Sequence, residues 1–128
     1  MKITADTNVL VRSVVQDDRA AAKVLKEAEL IAVTLPTLCE FAWVLRRTYG
    51  LERDDVAAAV RALLNTGNLV VNRPAVDAGL SMLQAGGDFA DGAIAYEGAW
   101  LGGETFVSFD KGAVALLSAQ GRSASLLS

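Results

Sequence analysis

Four acidic residues stand in apolar surroundings. Asp6 closes Ile3-Thr4-Ala5, and Glu40 lies within Leu38-Cys39-Glu40-Phe41-Ala42-Trp43-Val44-Leu45. Asp91 leads into Gly92-Ala93-Ile94-Ala95-Tyr96, and Asp110 ends Phe106-Val107-Ser108-Phe109. Carboxylates are rarely buried unless paired, hydrogen-bonded or holding a metal. Two of them about 4 Å apart repel by roughly 4 kcal/mol at an effective dielectric of about 20. A cation relieves that repulsion, so a converging carboxylate cluster that binds a divalent metal is the chemistry these residues suggest first.

The residue types missing from the chain narrow the choice. There is no histidine, which excludes Ser-His-Asp and Cys-His nucleophile systems and any His-ligated zinc site. One cysteine, Cys39, excludes an internal disulfide and a Cys-rich zinc site; it fits a reducing cytoplasm and reads as a small core residue. What remains is carboxylate, hydroxyl, lysine and arginine, and all-oxygen ligation suits Mg²⁺ or Mn²⁺.

The elements that would position the acids alternate between strand and helix. Residues 2–6 read as a short buried strand ending at Thr7-Asn8. Asp17-Asp18 precede an Ala-rich helix over residues 19–28, and residues 30–34 form a second strand. Pro36 sits where a first-turn proline belongs, in a helix that runs to Tyr49 and stops at Gly50. Asp54-Asp55 open a helix ending near Asn65, with Gly67 beyond it. Residues 69–71 are briefly extended. Pro74 starts a helix through Met82 to Gly86-Gly87, and another spans residues 89–101. Residues 105–109 are the clearest strand, β-branched and aromatic. A helix over residues 111–119 and a last strand over 123–127 complete the chain. Apolar strands separated by helices indicate an α/β fold: a three-layer sandwich with a mainly parallel sheet of four or five strands, in one domain spanning residues 1–128.

Sites in open parallel sheets form beyond the carboxyl ends of the strands. Asp6 and Asp110 each end a strand, and Glu40 falls in the first turns of the helix after the second. Asp88 and Asp91 are three apart, adjacent on one helical face. Ser108 shares a strand face with Asp110 and is placed to support its carboxylate or a metal-bound water. Each acid also has a local reading: Asp6 as a turn former, Asp88 and Asp110 as helix caps, Asp91 as a complement to the helix dipole. Glu40 resists such a reading, because its helical neighbours at i+3 and i+4 are Trp43 and Val44.

These segments resemble the PIN-domain ribonucleases, and among them the VapC-type toxins of prokaryotic toxin–antitoxin pairs, over essentially the whole chain. Asp6-Thr7-Asn8-Val9-Leu10 resembles the family's opening segment, and Glu40-Phe41-Ala42-Trp43-Val44-Leu45 its glutamate helix. Asp88-Phe89-Ala90-Asp91-Gly92-Ala93-Ile94-Ala95 resembles its third-acid helix, with Gly92 where relatives more often carry alanine. Thr105-Phe106-Val107-Ser108-Phe109-Asp110 resembles its last strand and fourth acid. Each match is short; the four in order are specific. The resemblance implies one or two Mg²⁺ or Mn²⁺ ions, hydrolysis of RNA, a homodimer, and a cognate antitoxin that blocks the site. It makes Asp6, Glu40, Asp91 and Asp110 the catalytic and metal-holding set, with Asn8, Ser108 and Asp88 auxiliary and Asp88 the rival of Asp91 as third acid.

Arg12, Arg46 and Arg47 are candidates for RNA phosphates; Arg47, seven residues from Glu40, shares its helical face. Trp43, Trp100, Phe41 and Phe109 read as core or dimer interface rather than base-stacking platforms. Two other readings compete with a toxin: a housekeeping RNA-processing nuclease of the same family, and a Mg²⁺-dependent phosphatase or receiver-like protein with a strand-end aspartate and Lys111.

Composition bounds these readings without choosing among them. A net charge of −3 and a pI near 4.8 look unsuited to RNA. Setting aside the four acids, however, reduces the acidic residues from 15 to 11 against 12 basic ones, a balance of +1. A hydrophobic fraction of 52% and a mean hydropathy of +0.34 suggest a thick sheet or a subunit interface. The longest uncharged run, residues 62–72, is too short to span a membrane, and no secretory leader is apparent. A cytoplasmic protein is the expectation.

Overall fold

The computed structural model describes all residues, Met1–Ser128. The chain is α/β and divides into two compact units, Met1–Asn72 and Arg73–Ser128.

The first unit runs β1 (Lys2–Thr4), α1 (Thr7–Val15), α2 (Arg19–Glu27), β2 (Leu30–Ala32), α3 (Leu35–Arg47), α4 (Arg53–Leu64) and β3 (Leu69–Val70). Its three strands form a parallel sheet with β2 in the middle; Ile3 pairs with Ile31, and Ile31 with Leu69. Helix α1 was not foreseen. Val9, Val11, Val14 and Val15 argue for strand by propensity, but Asp6 caps the segment and Thr7, Leu10 and Val11 form a buried i, i+3, i+4 stripe. Capping and burial outweigh propensity here. The second helix of this unit begins with Asp18 accepting from the Ala21 N–H at 3.1 Å. In α3 the buried stripe is Leu38, Phe41, Ala42 and Leu45, and in α4 it is Val56, Ala57, Val60 and Leu63. Gly50, at φ +66°, makes the left-handed turn between α3 and α4. The Asn68 amide donates to the carbonyls of Leu25 and Ala28, which ties the entry to β3 to the end of α2.

The second unit runs α5 (Arg73–Gln84), α6 (Phe89–Trp100), β4 (Phe106–Ser108), α7 (Lys111–Ala119) and β5 (Ala124–Leu126). Met82, Ala95, Ala113 and Leu117 are its core, with Phe106, Leu116 and Ala124 packed against them. Helices α5 and α6 approach closely through glycine. A β-carbon on Gly92 would overlap the Ala78 carbonyl and lie 2.7 Å from Met82 Cβ, and one on Gly79 would lie 2.6 Å from the Phe89 ring. Strands β4 and β5 pair in parallel, Val107 opposite Ser125.

All strand pairs are parallel, as expected, but they form one three-stranded and one two-stranded sheet instead of a single sheet of four or five strands. Strands of two or three residues explain the difference: each makes only a few ladder bonds.

Candidate active site

In the first unit the backbone delivers two acids to the carboxyl edge of the sheet. The Ala5 N–H donates to the Ala32 carbonyl at 3.1 Å, extending the β1–β2 pairing to the residue before Asp6. Asp6 then caps α1, its Oδ1 accepting from the Thr7 N–H at 2.8 Å. Glu40 is the sixth residue of α3, the helix leaving the same edge from β2. Its side chain is exposed, as is Asn8.

In the second unit Asp110 directly follows β4 and caps α7. Its Oδ1 accepts from the Ala113 N–H at 3.0 Å, and its own N–H donates to Ser108 Oγ at 2.9 Å. Ser108 thus accepts from the Asp110 backbone and holds it at the strand end. Asp88 occupies the capping position of α6, yet its side chain makes no cap hydrogen bond. Asp91, in the first turn of that helix, is half-buried, and its carboxyl is pushed above the ordinary carboxylate range. Burial is the main cause, followed by the charges of Asp88 and Asp110. The charges of Asp88 and Asp110 thus reach Asp91 across the N-termini of α6 and α7.

The apolar surroundings of the acids along the chain do not translate into burial. Asp6, Glu40, Asp88 and Asp110 are exposed, and only Asp91 is partly withdrawn from water. Glu40 shows the reason. Trp43, its neighbour at i+3, is 61% exposed, because the buried stripe of α3 runs through Leu38, Phe41, Ala42 and Leu45 and leaves both outside. Phe41 is core, whereas Trp100 and Phe109 are each 75% exposed, so a core role fails for three of the four aromatic residues considered. Cys39 is half-buried.

The arginines differ in their contacts. Arg46 Nη1 donates to the Leu51 carbonyl at 3.2 Å and so closes the turn after α3, while Arg12 and Arg47 are exposed and unpaired. Ion pairs join Met1 with Glu29 and Arg73 with Asp77, and neither involves Asp6, Glu40, Asp88, Asp91 or Asp110.

Thr7 belongs to the opening Asp6-Thr7-Asn8 segment but carries no role of its own in the sequence reading. It is 6% exposed at the first position of α1, and its hydroxyl has no hydrogen-bond partner. A hydroxyl between Asp6 and Asn8 was the available signal, but the missing α1 hid its burial.

Oxygen-only and anionic, these side chains are suited by chemistry to a hard divalent cation. No group of three or more acidic or cysteine side chains is gathered into a ligand set. No family model matches the chain, and no curated protein matches it. No helix is long and apolar enough to cross a membrane.

Proposed function

We propose that the chain is a Mg²⁺- or Mn²⁺-dependent ribonuclease of the PIN type, with the three-layer architecture that resemblance implies, acting as the toxin of a toxin–antitoxin pair. The observation that carries the reading is Asp91: a carboxyl raised by burial, Asp88 and Asp110, with no lysine or arginine paired to any of the three. Like charges held together without a protein counter-ion suit a site that takes its positive charge from a bound cation.

In this reading Asp6, Glu40, Asp91 and Asp110 hold the ion or ions, and Asn8, Ser108 and Asp88 assist. Such an ion supplies an activated water near neutral pH and offsets charge on the phosphate under attack. The chain's own residues keep the acids in position. Asp6 and Asp110 each commit Oδ1 to a helix cap, which fixes the carboxylate and leaves Oδ2 for a ligand. The Ser108 hydroxyl fixes the backbone on which Asp110 rides. Arg12 and Arg47, unpaired on the surface, are the residues for RNA phosphates. Exposed Trp43, Trp100, Leu101 and Phe109 support a surface covered by a second copy or by the antitoxin.

The test is cleavage of single-stranded RNA with Mn²⁺. Asp6→Asn and Asp91→Asn should each reduce turnover by at least ~100-fold, the scale expected when a metal's contribution of several kcal/mol is lost. Either variant, folded and turning over like wild type, would remove the assignment.

A further inference from the structure

A cavity of about 370 Å³ opens in the second unit between α5, α6 and the end of α7, and none of the acids or arginines assigned above lines it. Its wall includes Ala78, Ser81, Gly92, Leu117, Gln120 and Arg122. Small-molecule sites begin at about this volume, roughly 300 Å³. Its polar lining residues, Arg122, Gln120 and Ser81, each carry hydrogen-bond donors. Gln120 Nε2 donates to Ser81 Oγ at 3.4 Å, which leaves the hydroxyl proton of Ser81 available. No acid lines this cavity. Glu104 lines a neighbouring cavity of about 100 Å³ that Arg122 also reaches, but forms no ion pair with it.

Arg122 is held where it stands by the end of α7. Gln120 is the last capping residue, and Gly121 follows at φ +82°. The Gly121 N–H donates to the Ser118 carbonyl at 3.0 Å and the Arg122 N–H to the Leu117 carbonyl at 3.0 Å. This double closure is a Schellman motif, which requires the left-handed residue that glycine supplies. It fixes the backbone of a half-buried arginine whose guanidinium has no counter-ion. A planar fork of donors without a partner matches the oxygen pairs of a phosphate. The buried Leu117 side chain and the small Ala78 and Gly92 leave an apolar wall beside it.

We propose that this cavity is a phosphate-binding subsite for a nucleotide, with Arg122 gripping the phosphate and Ser81 and Gln120 donating to its oxygens. Its identity as a nucleotide phosphate, free or within a strand, rests on the ribonuclease reading; its preference for an anion does not.

The test is a titration of isotope-labelled full-length protein, followed by NMR in EDTA, so that neither a metal ion nor cleavage enters. Adenosine monophosphate should give saturable shifts at Gly92, Gly121 and the Gln120 side-chain amide, and adenosine should give none. Arg122→Gln should weaken binding of the monophosphate by about tenfold or more, the scale of one lost charge-assisted interaction. Competition by a short RNA without terminal phosphates identifies a strand phosphate, and its absence a free nucleotide; either sustains the subsite. Three results would overturn it: equal binding of adenosine and its monophosphate, unchanged affinity in Arg122→Gln, or no shifts in wild type at about 10 mM ligand, weaker than a millimolar site. Loss of Mn²⁺-dependent cleavage alone would overturn the ribonuclease reading and leave these results untouched.

Discussion

Gly92 lies against the Ala78 carbonyl so closely that a β-carbon would overlap it. This contact seats the first turn of α6, and with it Asp91, on α5. It also answers why a glycine occupies a helix interior, where it costs about 1 kcal/mol relative to alanine. Gly92→Ala gains that propensity but forces apart two helices whose contact atoms are backbone, an overpacking cost of about 1–3 kcal/mol. The second effect is the larger. Urea denaturation should show Gly92→Ala less stable than wild type, although alanine is the better helix former; a stabilised variant would mean that α5 and α6 pack more loosely.

Asp91 should set a pH dependence of opposite sign to most carboxylates. Its folded-state pKa lies above the ordinary aspartate value of 3.8, so the folded protein binds this proton more tightly than the unfolded chain. Stability therefore falls as pH rises from the unfolded to the folded pKa, and the full penalty stands above the latter. Asp91→Asn, neutral at every pH, should melt higher than wild type at pH 7, and the difference should shrink as pH falls toward 3.8 and disappear below it. Excess Mn²⁺ should reverse the order. A ligand at a hundred times its Kd stabilises by about 2.7 kcal/mol, a gain the variant forgoes. Thermal melts at both pH values, with and without Mn²⁺, check both signs.

The adjacent arginines Arg46 and Arg47 should separate structure from binding. Arg46→Ala removes a charged donor from the Leu51 carbonyl and should cost about 1–2 kcal/mol in denaturant melts, with the salt slope of RNA binding retained. Arg47→Ala should leave stability within about 0.5 kcal/mol and reduce the salt slope by about one unit. Equal salt slopes in wild type and Arg47→Ala would exclude Arg47 from the phosphate contacts.

Much of the fold was legible because its boundaries are marked by local chemistry. Pro36, Gly50, Asp54-Asp55 and Gly67 bracket α3 and α4, and the expected helix over residues 111–119 coincides with α7. Helix α1 was hidden by its valines, whose propensity gives no hint that Asp6 would cap and Leu10 and Val11 would be buried. The split into two sheets was illegible for a different reason: strand pairing is non-local, and alternation within β1 or β4 does not name a partner. The site was legible as residues and strand-end positions, but not as burial. Glu40 among apolar neighbours looked enclosed, yet which neighbours are buried depends on the face α3 turns inward, and that face excludes Trp43 and Glu40. Arg122 was missed because its setting arises from a helix-end motif and not from any run of basic residues.

Binding of a divalent cation by the assigned acids is the central claim, and a crystal grown with Mn²⁺ tests it through the anomalous signal of the ion. The expected result is a Mn²⁺ peak with Asp91 or Asp110 among its ligands. A peak away from every assigned acid, or none in crystals soaked at a concentration that supports cleavage, would contradict it.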